Sequence, residues 1–204
     1  MAGFQTAHGS VLDTDKIVTE TALGAKGHHT PLALYNYVVA KLTANARAIA
    51  AALGVPYRLH RSGVISTRTA VNGAGDATFQ ALRSITIPGG SMGANGALRV
   101  QFHFEGSGTV TKTLAVRFGG TTVLTVNISG TSINYGTTID IVNQNSLSSQ
   151  VASKSAASTA ATLTASIDTA SDVTLEIGAN WGGATAATET ISLRISSVWL
   201  EYQA

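Results

Sequence analysis

Cysteine is absent from the 204-residue chain, and with it go disulfide frameworks, thiolate nucleophiles, cysteine-ligated zinc and iron–sulfur clusters. Charge is scarce as well: 12% of residues are Asp, Glu, Lys or Arg, about half the usual ~25%. The net charge of +2 comes with no basic stripe interleaved with aromatics, so nucleic acid is not an expected partner. No apolar run approaches the ~18 residues of a membrane span, and membrane insertion is not expected. The opening string MAGFQTAHGSVLDTDK has neither the basic nor the apolar region of a signal peptide, so export by the general pathway is not expected either.

What is present favours a β-rich assembly or binding protein. Apolar residues make up 44% of the chain, enough for one fair-sized core that would bury roughly 70% of the unfolded surface. With so few charges, the polar surface has to come from Thr, Ser, Asn and Gly. Residues up to Arg68 carry a formal +4 and the remainder −2. That asymmetry fits a basic docking segment or a chance distribution on a solvated surface.

Residues 1–30 mix Gly, Thr, His and scattered apolar positions without sustained period, which predicts an extended arm. Phe4, Val11, Leu12, Ile17, Val18 and Leu23, with the cations Lys16 and Lys26, are too few and irregular for a core. They suffice for an extended segment to bury against a partner. Thr30-Pro31 is a helix start and Gly54 with Pro56 a stop. Between them Leu32, Tyr35, Val39, Leu42, Ala46, Ile49 and Leu53 recur at steps of three and four. This heptad seam spans 31–54 and reads either as a short trimeric stem or as an amphipathic helix packed across its own sheet.

Residues 55–80 read as a linker, with a short strand possible at Gly63 to Thr67 and a turn at Val71 to Ala77. The Gly-x-Gly in that turn lacks the third glycine and the helix start of a phosphate cradle. From 81 onward the period becomes two. Leu98, Val100, Phe102 and Phe104 alternate with Arg99, Gln101, His103 and Glu105, and seven further runs make eight strand candidates, which suits an antiparallel jelly-roll sandwich over 81–204. Ser146 to Ala161 is small and polar and reads as a long surface loop. The last run breaks phase, with Ile191, Leu193 and Ile195 on one face and Val198, Leu200 and Tyr202 on the other. That calls for a bulge near Ser196-Ser197 or a strand covered on both faces.

Reactive constellations are sparse. His103 and Glu105 share one side of a strand, an arrangement more typical of a wet sheet face than of an acid–base pair. His28-His29 have no acidic neighbour to complete a metal site. Asp140, Asn143 and Asn145 lack the glycine and distal glutamate of a calcium loop. Neither catalysis, a metal nor a cofactor is expected. Trp181, followed by Gly182-Gly183, is a candidate to stack on a sugar ring or to lid the sandwich edge.

The strings ITIPGGSMGANGALRV (Ile85 to Val100), LAVRFGGTTVL (Leu114 to Leu124) and IVNQNSLSSQ (Ile141 to Gln150), with a closing β segment ending LEYQA, resemble the β-sandwich domain at the C-terminal end of many tailed-bacteriophage fibre, spike and head-decoration proteins. The resemblance covers about 85–204. It implies a non-enzymatic homotrimeric virion protein, assembled in the host cytoplasm, whose sandwich projects outward and whose N-terminal segment docks on a phage capsid or tail protein. A capsid decoration protein or head fibre is the expected role; a short tail fibre or tail-tip receptor binder recognising a host surface glycan is the alternative. For such recognition Trp181, His103 and Arg117 are the candidate contacts.

Overall fold

A computed structural model describes residues 31–71, 74–154, 163–183, 185 and 188–202. The docking arm expected over 1–30, with Phe4, Val11, Leu12, Lys16, Ile17, Val18, Leu23 and Lys26, and the His28-His29 pair lie outside the described residues. The first element among the described residues is helix α1, Pro31–Ala52, ended as its sequence requires. Gly54 takes φ 62°, its amide donates to Ala51 O, and the Val55 amide reaches back to Ala50 O at 3.0 Å. This is the paired Schellman closure that a left-handed glycine permits.

Among the described residues eleven strands follow: β1 (Tyr57–Ser62), β2 (Ser66–Thr69), β3 (Gln80–Ile87), β4 (Ala97–Ser107), β5 (Lys112–Phe118), β6 (Thr121–Ile128), β7 (Ser132–Asn143), β8 (Gln150–Lys154), β9 (Leu163–Ala165), β10 (Val173–Trp181) and β11 (Thr190–Glu201). One sheet has the order β1-β11-β4-β7-β8-β9, with β2 also on β11, and the second has the order β3-β10-β5-β6. The pairs β5:β6, β4:β7, β3:β10 and β1/β2:β11 nest inside one another, all antiparallel. Folding this nested hairpin over itself gives the two Greek keys of a jelly roll. The innermost turn is Gly119-Gly120, at φ 54° and 78°, with Phe118 paired to Thr121. Two left-handed residues give the tight turn whose twist matches its strands.

Alternation builds the core. Leu98, Val100, Phe102 and Phe104 of β4, Ile139 and Ile141 of β7, and Leu193, Val198 and Leu200 of β11 meet Leu114, Val116 and Phe118 of β5 and Leu175 and Ile177 of β10. Each such side chain contributes about 1.5–3 kcal/mol on burial. Strand directions fix two ends. The start of β1 lies at the end that also carries the turns 88–96, 119–120, 144–149 and 166–172; residues 70–71, 74–79, 108–111, 129–131, 182–183, 185 and 188–189 lie at the other.

The chain divides into two units, 1–46 and 47–204, with the boundary inside α1. Three expectations shift. The segment 55–80, expected as a linker, contains β1 and β2, both paired with β11. The loop expected over Ser146 to Ala161 contains β8, paired with β7 along Gln150–Lys154. The phase break in β11 is a bulge at Arg194, between the pairs Leu193↔Phe104 and Ile195↔His103. The bulge turns Arg194 outward onto Glu105 at 2.6 Å and restores Val198 and Leu200 to the core.

Candidate functional site

Two surfaces stand out. The first is the helical seam. Leu32, Tyr35, Val39, Leu42, Ala46, Ile49 and Leu53 are all exposed in the single chain, Leu42 by 63% and Leu53 by 69%. The last turns of α1, which belong to the sandwich unit, show which way the seam faces there. Ala50 is 7% exposed, and Arg47 lies close enough to Tyr202 for its charge to oppose the upward push that burial gives that hydroxyl. Arg47 and Ala50 therefore turn toward their own domain, and Ile49, 60% exposed, turns away. A helix of 22 residues draws its stability mainly from packing of an apolar face, and the residues of this seam are exposed.

The second surface is the outer face of the larger sheet, where β11, β4 and β7 lie side by side. Register places Ile195, His103 and Gly136 in one row across the three strands. A shallow depression of about 550 Å³ opens over that row, lined by Gln101, His103, Asn134, Gly136, Thr138 and Ile195 among others. His103 Nε2 and Asn134 Oδ1 are 2.6 Å apart. Ion pairs bound the depression on both sides. Arg99 meets Asp140 at 3.0 Å and Glu201 at 2.7 Å, while Arg194 meets Glu105 at 2.6 Å. The floor between them carries no Asp, Glu, Lys or Arg. Glu105 and His103 thus engage different partners and form no acid–base pair.

The candidate glycan contacts do not come together. His103 lies on β4 of the larger sheet and Arg117 on β5 of the smaller, so they project from opposite outer faces, and the Arg117 guanidinium stacks 3.8 Å from the centre of the Phe79 ring. Trp181 has no exposed surface and is not available to a sugar. Its indole Nε1 donates to Glu189 Oε2 at 3.1 Å, and the Arg68 guanidinium covers its ring at 4.9 Å. The glycines after it serve the turn, and the ring belongs to the core.

Trp181 is one member of a buried polar network at the end remote from the start of β1. Lys112 Nζ donates to Glu189 Oε2 at 3.0 Å and to the carbonyls of Gly108 and Val110 at 2.9 Å, which uses all three of its protons. Glu189 Oε1 accepts from the amides of Thr109 and Val110. Burial alone would raise the Glu189 carboxyl; the hydrogen bonds from Lys112, Val110 and Thr109 outweigh it and leave the group below its ordinary value. Gly108, at φ +100°, is where the chain closes on this carboxylate, because a Cβ there would overlap it. Nearby, Thr185 Oγ1 donates to Asp76 Oδ2 at 2.6 Å. A sequence reading finds none of this, since Lys112 and Glu189 are 77 positions apart and isolated charges read as solvated.

A second network closes the opposite end. Asn143 Nδ2 donates to Gly93 O and to Thr169 Oγ1, and Gln150 bonds both Asn143 and the Ile167 backbone. Asn145 turns the chain at φ 52°, and Asp140 is held by Arg99. The three residues considered for calcium thus have separate tasks. Among the described residues, no group of three or more His, Cys, Asp or Glu is placed to hold a metal ion, and no helix is long and apolar enough to cross a membrane.

No protein-family model matches the chain, and no curated protein matches it. Solved structures to which the chain is similar include dimeric latent PorU from Porphyromonas gingivalis, at 11% identity over 73% of this chain and 12% of that one, with a TM-score of 0.36. The structure of infectious bursal disease virus, Gt strain, aligns at 15% identity over 72% and 33%, with a TM-score of 0.37. The family 18 polysaccharide lyase aly-SJ02 aligns at 9% identity over 68% and 89%, with a TM-score of 0.33. The chain spans about an eighth of the first and a third of the second. Likenesses at these scores carry no argument about function; the described residues form a mainly β protein with a two-sheet antiparallel sandwich and, among them, one α-helix.

Proposed function

We propose that the chain is a non-enzymatic structural component of a virion: a homotrimeric capsid decoration protein or head fibre, with α1 as the stem, the jelly roll projecting outward and the arm over 1–30 docking on the particle. The observation that carries this reading is the exposed seam. Seven residues at heptad spacing, from Leu32 to Leu53, are exposed in the single chain, and two further copies of the same helix are the partners that such a seam fits. The resemblance of 85–204 to the sandwich domains of phage fibre and decoration proteins supplies the setting. Three linked arms would attach together, so that a weak contact made once becomes durable when made three times on a symmetric surface.

A tail-tip position is the second reading, favoured by the open polar depression on the outer sheet face. The experiment that tests the trimer is light scattering on purified protein. A mass about three times that of the chain supports the stem, and a stable monomer at micromolar concentration overturns it.

A further inference from the structure

The larger sheet holds a glycine that neither its backbone nor its packing requires. Glycine is disfavoured in strands, where it costs entropy and leaves nothing to pack. It persists there at bulges, at bends, or where a ligand or another backbone comes close. Three of the described strands contain one. A Cβ at Gly106 would come within 2.9 Å of Thr190 O, and one at Gly178 would overlap Gln80 O, so both are fixed by close packing. Gly136 is different. Its φ is not in the left-handed region, the nearest atom to an added Cβ is Phe102 O at 3.6 Å, and its pairing with His103 continues without a register shift. Neither bulge, strain nor crowding accounts for it. What the missing side chain does is open the floor of the 550 Å³ depression.

We infer that this depression is a binding groove for a neutral saccharide, with Gly136 as the notch that admits a sugar ring. The lining is matched to hydroxyl groups. Gln101, Asn134 and Thr138 each offer both donors and acceptors, and His103, set beside Asn134 at 2.6 Å, adds a ring nitrogen. Ile195, 45% exposed on a strand whose other apolar residues are mostly buried, provides an apolar surface for the C–H face of a pyranose. Charge sets the class of ligand. The cations at the rims, Arg99 and Arg194, are already paired with Asp140, Glu201 and Glu105, so a sulfated, phosphorylated or acidic glycan gains little over a neutral one. An extended peptide is a poorer fit, because the backbone groups along β4 are committed to β11 and β7 and peptide strands dock at sheet edges.

The inference names the site at which the second reading above would operate, and its test reads glycan binding rather than assembly. Wild-type protein, Gly136→Gln and Asn134→Ala are applied to a printed array of neutral oligosaccharides and bacterial surface polysaccharides, and the strongest neutral hit is titrated in solution. Gly136→Gln fills the notch in a strand that has room for it, so its melting temperature should match that of the wild type. The expected result is binding of a neutral glycan by the wild type, weakened about tenfold or more in Gly136→Gln and several-fold in Asn134→Ala. Absence of any neutral-glycan binding by the wild type overturns the inference, as does equal binding by a folded Gly136→Gln. A change in oligomeric mass in Gly136→Gln also overturns it, by showing the groove to be a contact between copies of the chain. A wild-type trimer without glycan binding would leave the assembly proposal standing.

Discussion

Lys112 Nζ sits 3.0 Å from Glu189 Oε2 in the interior of the sandwich, with the lysine side chain wholly buried and the glutamate 5% exposed. Every proton of the ammonium and both oxygens of the carboxylate have partners. This pairing joins β5, the end of β10 and the approach to β11.

Removing one member strands the other. Lys112→Met leaves a buried carboxylate and Glu189→Ala a buried ammonium, and each should cost about 3–5 kcal/mol. In a domain of this size that lowers the thermal midpoint by roughly 10 °C. The double variant should cost clearly less than the sum, a coupling readable in a urea-melt cycle. Additive losses would mean that the pair contributes packing alone.

Acid should act in two stages. The His60 imidazole, 3.1 Å from Ser196 Oγ, is held below its ordinary value by burial and by the charge of Arg83. The unfolded chain therefore takes its proton first, and the stability this neutral ring supports is lost as pH falls below about 6.5 toward the lower folded value. Glu189, also depressed, supports stability that is complete above its unfolded value of about 4.3 and lost as pH falls through the folded one. Denaturant midpoints measured from pH 8 to pH 3 should show both declines. His60→Gln should remove the upper decline and Glu189→Gln the lower.

The seam makes its own prediction. Leu42→Asp places a carboxylate in the middle of the proposed stem, where burial among three copies would cost several kcal/mol. Sedimentation should show the variant as a monomer, with a sandwich that melts near the wild-type temperature. Thr43→Asp, one residue on and off the seam, should remain trimeric.

Deleting residues 1–30 should leave a folded trimer, because the stem and sandwich remain. Added to particles that lack the native protein, the truncated trimer should fail to bind. If it still decorates them, the docking surface is in the sandwich and the inward and outward ends exchange.

The parts legible in the sequence were those written as local alternation. Leu98 to Glu105 and Leu114 to Phe118 predict β4 and β5 because alternate residues of each strand enter the core, and the Thr30-Pro31 and Gly54 signals bracket α1. β1 (YRLHRS) and β8 (QVASK) carry no such contrast; their places come from ladder bonds to β11 and β7. Which of the two readings of Trp181 holds is not legible beside its two glycines, since its burial depends on Glu189 and Arg68, partners that no local window contains. The reason for Gly136 is equally invisible in one dimension, because it becomes apparent only when the space around an absent Cβ is known.

The pairing of Tyr57 with Leu200 has a practical consequence for carrying cargo. Sequence appended beyond Tyr202 leaves the sandwich at the end where β1 begins, so a fused tag would emerge at that end. The far end offers a better place. Its Ser129-Gly130-Thr131 connection is exposed and carries none of the Lys112–Glu189 contacts, so a peptide spliced there should be displayed at the end remote from that tag. The neighbouring 182–189 connection, which brings Thr185 to Asp76 and Glu189 to Lys112, should not tolerate one.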